Sequence, residues 1–386
     1  MTHRTTPMTV ISASPLHRLA GRVGAVLLAL GLAACSSSPK PKPQSLEQVP
    51  VAAAVTAWET RLGADLNRQL PTVRQGQMAL TTQAGEVAVV DLSSGQALWR
   101  HATRARLVSG AGFDGVRVAV VSDTNQLIVM QAGQLVWQVR LPSQSFTPPL
   151  IAGGRVFVLL ADRTVLALDG DNGGLIWDLQ LEGEPLVLQQ PGVLTHVGNR
   201  LLVGLGSRLV KLNPDNGQVE WQTTLAVPRG YNDLERLIDL IAPFELNGSR
   251  LCAVSFQTQI SCVNTGPGHL LWSRSSTSVV GLSGDDKGLA NVQENGVVRY
   301  WNITNGQMLW DSERLKFRQL HSPLIRGERI WLADEDGQLF GLQRSNGELN
   351  ARLNPGLGAL AADPINTDAG VLLVSRKGQI RLLKGL

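Results

Sequence analysis

"GQALW" at residues 95–99 decides the fold, because it returns. "GQLVW" ends at Trp137, "GGLIW" at Trp177, "GQVEW" at Trp221, "GHLLW" at Trp272 and "GQMLW" at Trp310, with "GELNA" at 347–351 as a decayed seventh copy. Successive copies lie 38, 40, 44, 51, 38 and 41 residues apart, a period that belongs to β-propellers and to some helical arrays. The intervening segments decide between them. They are short runs rich in leucine and β-branched residues, such as "RVAVVS", "RVFVLLAD" and "RIWLAD", each followed a few residues later by a second such run, such as "QLIVMQ", "TVLALD" and "QLFGLQ". Turn residues punctuate them every eight to twelve positions and helical spacing is absent, so helical repeats are excluded.

Each unit reads as strand, turn, strand, an Asn/Asp/Gly turn such as "NPDNGQ", and a strand entered through Gly that carries Trp. A tight turn needs a residue comfortable at positive φ, which explains the glycine. A tryptophan on the outermost strand can bury a large face between neighbouring units, which explains nine Trp against two Tyr. Segments such as "TPPLIA" and "SPLIRG" supply an inner strand and bring each unit to four. Eight inner hairpins are visible, and the last, at 370–384, has no outer strand after it. Upstream, "VTAWETRL" is an outer strand with Trp58 and no hairpin before it, 41 residues ahead of Trp99. The expectation is an all-β, eight-bladed β-propeller of four-stranded antiparallel blades, closed by the N-terminal strand completing the C-terminal blade. Seven blades is the competing count if "GELNA" is misread. Aligning the hairpins places Phe157 opposite Ala167, Trp331 opposite Gly341, Ala290 opposite Tyr300 and Ala119 opposite Val129, mostly large against small. The same slot in the fifth blade holds Cys252 and Cys262, which either form a cross-strand disulfide or remain two small buried thiols.

The N-terminus carries Arg18 and Arg22, an apolar run over 23–32, and "LAAC" ending at Cys35. That pattern is a secretory signal, and a run this short does not span a bilayer permanently. "LAAC" resembles the lipobox of bacterial lipoproteins, which implies a lipidated Cys35, and Ser36 resembles lipoproteins sorted to the outer membrane. The Pro-rich "SSSPKPKPQS" that follows suits a tether. The expected organisation is a signal peptide over 1–34, a lipidated N-terminus and tether over 35–52, and the propeller over 53–386. Residues 1–34 hold three of the 35 basic residues and no acid, leaving 32 bases against 31 acids in the remainder. With no Lys/Arg stripe and no groove-reading motif, nothing points to nucleic acid.

Catalytic chemistry is equally hard to find. The six histidines stand singly without metal-ligand spacing, and neither a nucleophile elbow nor a phosphate-cradling loop is present. Aspartates concentrate in turns such as "DGDN" and "DEDG", where they cap the bend. No metal and no cofactor are expected. One departure from the period stands out, the 51-residue step after Trp221, which holds "VPRGYNDLERLIDLIAP" at 227–243. Beside it, "EGEPLVLQQPG" at 182–192 is another connection outside the repeat, with Leu186 and Leu188. Long loops on a rigid ring are contact surfaces, and two adjacent ones with leucines suggest a partner site, the alternative being a solvated insertion.

The repeats resemble the tryptophan-docking units of PQQ-type eight-bladed propellers. With the lipobox, the Pro-rich tether, the compact length and "LERLIDLIAP", the whole mature chain resembles the outer-membrane protein assembly factor family, BamB. The resemblance implies a lipid-anchored, non-catalytic scaffold on the periplasmic face of the outer membrane. It would bind a POTRA domain of a BamA-like barrel protein and assist delivery of unfolded outer-membrane proteins. The family's partner loops carry a Leu-x-Leu-Arg element and an Arg-Leu-x-Asp element with a second Asp two residues later. Here these read Leu186, Val187, Leu188, Gln189 and Arg236, Leu237, Ile238, Asp239, with Ile241 in the second aspartate's place. The implied partner-binding residues are Leu186, Leu188, Gln189, Arg236, Leu237 and Asp239. Two other classes share parts of the pattern: a propeller binding glycan or another periplasmic protein, and a PQQ-dependent dehydrogenase, which would need PQQ contacts and a Ca²⁺ site.

Overall fold

Each run of alternating small and branched residues between turns forms a strand, and the strands pair with their sequence neighbours. In a computed structural model of the chain, residues 41–63, 66, 71–181, 186–227, 231–232 and 237–386 are described. The chain divides into two units, Met1–Lys42 and Pro43–Leu386, the second of which is the propeller. It holds eight four-stranded antiparallel sheets. Seven are simple meanders, the first being Thr72–Arg74, Gln77–Thr81, Glu86–Asp91 and Ala97–Ala102. The eighth takes three strands from the C-terminus (Ile365–Thr367, Gly370–Val374 and Gln379–Lys384) and its outer strand, Val55–Arg61, from the N-terminus. Eight blades therefore close the ring, and the count of seven is set aside. The closing strand is also fastened by side chains, with Arg381 and Gln379 both donating to the Glu59 carboxylate.

The hairpin register matches the expected pairs: Phe157 faces Ala167, Ala119 faces Val129, Ala290 faces Tyr300 and Trp331 faces Gly341. Cys252 faces Cys262, and the two are joined by a disulfide. Apolar side chains of adjacent blades fill eight buried clusters that run around the ring.

The glycine of "GxxxW" has a second reason that its turn does not reveal. Gly217 sits at φ +71°, as a turn residue should, but a Cβ there would also lie 2.7 Å from Cε3 of Trp177, the tryptophan of the preceding blade. Gly95, Gly173, Gly268, Gly306 and Gly347 stand in the same way under Trp58, Trp137, Trp221, Trp272 and Trp310. The docked indoles also donate Nε1–H to backbone carbonyls of the next blade, as Trp177 does to Pro214 at 2.8 Å and Trp58 to Leu92 at 2.8 Å. The motifs at Trp137, Trp177, Trp221, Trp272 and Trp310 thus each supply a glycine facing the tryptophan of the blade behind and an indole donor for the blade ahead. The fit is looser at Gly133, where a Cβ would lie 3.5 Å from Trp99. "GELNA" lacks a tryptophan because the blade ahead of it, the eighth, has chain termini where the others have their third turn. Volume is redistributed instead: Gly341 and Ala351 stand beside Trp331, which has moved to the second strand.

All eight outer strands carry a one-residue bulge immediately before the docking position, for example between Ala97 and Trp99 and between Leu175 and Trp177. A bulge re-aims the next side chain and spoils an edge for pairing with another chain, which suits a strand that ends its sheet. Residues 44–52, the end of the stretch expected to be a tether, run against blades six and seven. Gln44 N–H donates to Lys316 O, Val51 bridges in parallel to Arg352, and Leu46 and Val49 pack on the core.

Candidate functional site

Strands alternate in direction, so the turns between second and third strands emerge on the same face as the connections between blades. The described parts of the two non-repeat connections, 186–193 and 225–227 with 237–239, lie on that face on either side of blade four. They are joined to each other: Gly192 forms a bridge with Ile241, and Ala242 N–H donates to Pro191 O at 3.0 Å. Gly192 N–H also donates to Thr147 Oγ1 at 3.0 Å, which fixes this loop to blade three.

The centre of the site is a charged pair that sequence reading did not supply in full. Asp239 is largely buried; its Oδ2 accepts the Leu188 N–H at 2.7 Å, and its Oδ1 lies 3.5 Å from Nη1 of Arg163. Arg163 is only 6% exposed and donates from Nη2 to the Leu186 carbonyl at 3.0 Å. Gly206 makes room, since a Cβ there would meet the guanidinium at 2.9 Å. Burial pushes the Asp239 carboxyl above its ordinary value, against the opposing pull of the Leu188 amide and of Arg163. A cleft of about 50 Å³ lies among Arg163, Leu188, Asp239, Ile241 and Thr147, which is room for water rather than for a substrate.

The expected partner residues therefore separate. Leu186 and Gln189 are exposed, and Leu186 shows 42% of its surface. Leu237 is half-buried. Leu188 packs inward on a cluster that includes Ile241, Cys252 and Trp272. Asp239 is turned to the interior, occupied by a backbone amide and a buried arginine, because an unpaired buried carboxylate would be costly. Ile241, where the resemblance places a second aspartate, is 1% exposed, and a charge there would be desolvated. Arg236 and Cys35 lie outside the described residues. Among the described residues two further side chains add to the exposed surface, Val227 at 65% and Tyr231, fully exposed. Both stand in the quoted loop, so their signal was position in the insertion. Arg163 had a fainter one, an arginine in a turn slot where blades one, six, seven and eight place glycine.

Other buried polar ties serve the ring. Arg344 donates to Tyr300 Oη and to Asp285, both at 2.6 Å, linking blades six and seven. His321 Nδ1 lies 3.1 Å from Asp363 Oδ1, which also accepts the Ser322 N–H at 3.0 Å, so this trio is a tie between blades and not a relay from a hydroxyl. Among the described residues no three His, Cys, Asp or Glu side chains converge as a metal would require.

Fold and site together define a class: an eight-bladed propeller of tryptophan-docked repeats whose departures from the repeat meet on one face. The family described as outer membrane protein assembly factor BamB matches residues 83–312. A protein of that name from Bordetella pertussis is 32% identical over 372 residues, covering 94% of this chain and 96% of that protein. The chain belongs to the BamB family. The crystal structure of BamB from Moraxella catarrhalis superimposes with a TM-score of 0.78 at 21% identity, covering 86% of this chain and 99% of the other. Quinohemoprotein alcohol dehydrogenase from Comamonas testosteroni shares the fold, with a TM-score of 0.64 at 12% identity over 86% of this chain and 76% of that one. Fold alone thus does not separate an assembly factor from an enzyme; the relative that matches over nearly the whole chain is named an assembly factor.

Proposed function

We propose that this chain is a non-catalytic scaffold lipoprotein of the outer-membrane β-barrel assembly machinery. It would be anchored to the periplasmic face through acyl chains on Cys35, after removal of residues 1–34, and would bind a POTRA domain of a BamA-like barrel protein. Through that contact it would assist delivery, folding and insertion of unfolded outer-membrane proteins. With residues 44–52 laid against the ring, a free tether would run only from Cys35 to about residue 43. The carrying observation is the pair of non-repeat connections bound to each other on one face, with Leu186, Gln189, Val227 and Tyr231 turned to solvent. Apolar and aromatic anchors held on a rigid frame are what interface hot spots are made of. In this reading Leu186, Gln189 and Leu237 touch the partner, while Leu188 and Asp239 support them.

The test is co-purification from solubilised outer membrane. Leu186→Asp should reduce recovery of the barrel partner by roughly tenfold or more, the loss expected for an anchor. Leu98→Asp, on an outer strand at the rim, should leave recovery unchanged. Undiminished recovery with Leu186→Asp would move the interface elsewhere. Recovery of glycan or of an unrelated periplasmic protein in place of a barrel would favour the alternative binding role.

A further inference from the structure

We propose that Arg163 is a positioning residue that latches residues 186–189 into the shape they present, an inference that rests on the partner-binding reading above. The observation begins with its backbone. Arg163 has φ +67°, and in five of the other blades the last residue of the equivalent turn is Gly85, Asn125, Gly296, Gly337 or Gly378, all at positive φ. Glycine reaches this region without strain and asparagine with little, whereas a long side chain raises the cost. Blade three carries that strain with the one residue whose guanidinium can address two acceptors at once.

What it addresses is the non-repeat loop. Nη2 holds the Leu186 carbonyl at 3.0 Å and Nη1 lies 3.5 Å from Asp239, whose other oxygen holds the Leu188 N–H at 2.7 Å. Arginine, carboxylate, and the backbone of 186 and 188 form a closed circuit, so the peptide between the two leucines is gripped from both ends. Leu186 and Gln189 remain outside while Leu188 is drawn onto the core. The other buried arginine tie, Arg344 to Tyr300 and Asp285, joins one repeat to the next and touches no irregular loop. Without the circuit the loop would sample other shapes, and a partner would have to reorder it on binding.

Arg163→Gly in the full-length protein separates this role from a general structural one, because glycine suits the turn while the latch is lost. A second variant, Arg163→Gly with Asp239→Asn, removes the carboxylate that would otherwise be left buried without its cation. In the double variant, thermal stability should stay near that of the native protein, and in both variants amide hydrogen exchange across 186–192 should rise by about tenfold or more. Exchange in blades one and seven should not change. Recovery of the barrel partner should fall by a similar factor. Native-level exchange across 186–192 in both variants would overturn the latch. Faster exchange with undiminished recovery would overturn its role in presentation. Leu186→Asp leaves the latch untouched, so its failure to reduce recovery would count against the partner site instead.

Discussion

Asp239 shows at the scale of one residue how burial changes what a charge can do. A carboxylate on the surface could meet a partner's lysine; this one is committed to Leu188 and Arg163. Its folded pKa is raised above 3.8 chiefly by desolvation, so the folded state holds the proton more readily than the unfolded chain. Ionisation therefore costs stability as pH rises from about 3.8 through the raised value. Urea unfolding should show native protein at its greatest advantage over Asp239→Asn near and below that pH, with the difference shrinking as pH rises. A difference that stayed flat up to neutral pH would contradict the assignment. Asp363 runs the other way: burial alone would raise it, but the contacts from His321 and Ser322 outweigh burial and the net shift is downward. Its contribution is present above about pH 3.8 and is lost as pH falls below that. For Cys252 and Cys262, reduction should add two hydrogens to the intact mass and expose two alkylatable thiols besides any at Cys35. By loop-closure entropy it should cost about 2–3 kcal/mol. Labelling of both thiols before reduction would refute the bridge.

At the scale of the element, glycine and tryptophan of successive blades act as a pair. Gly217→Ala places a Cβ against the Trp177 indole and forces a side chain to φ +71°, and it should cost about 2–4 kcal/mol. Trp177→Ala should cost about 3–5 kcal/mol. Combined, they should cost clearly less than their sum, because removing the indole frees the space that the new methyl needs. Strict additivity in a denaturant double-mutant cycle would show that the two do not meet. The repeat letters carry the strand, its turn and a tryptophan that docks between blades, but not that the glycine of one blade receives the tryptophan of the blade before. A turn glycine and a receptor glycine are the same letter, and the five-residue motif contains no statement of which tryptophan it receives. The bulge was hidden for a similar reason, since one extra residue in an outer strand leaves the apolar pattern nearly unchanged.

At the scale of the whole molecule, closure depends on a strand drawn from the far end of the chain. Removing residues 1–63 takes away Val55–Arg61, leaves Gln379–Lys384 as an open edge and empties the Trp58 dock on Gly95. The melting temperature should fall by an amount of order 10 °C, and the exposed edge should drive self-association. Light scattering coupled to gel filtration and a thermal melt would check this; a monomer with the native melting point would show that closure does not matter. The eighth blade also explains the decayed copy at 347–351. With no third turn ahead of it there is no receptor, so Ala351 suffices and Trp331 takes up the volume.

The sequence by itself determined the blade, the number of blades and the way they close, because each blade is a local meander whose signals recur within about 40 residues. It also marked the two irregular connections, since a period makes its own interruptions visible. Only the tertiary structure decided which of their residues face outward. That outcome depends on Arg163 meeting Asp239 across 76 residues and two blade boundaries, a juxtaposition set by ring geometry. The physical reason is desolvation: once the ring buries Asp239, its carboxylate must find partners inside the protein, and Leu186 and Gln189 are left at the surface.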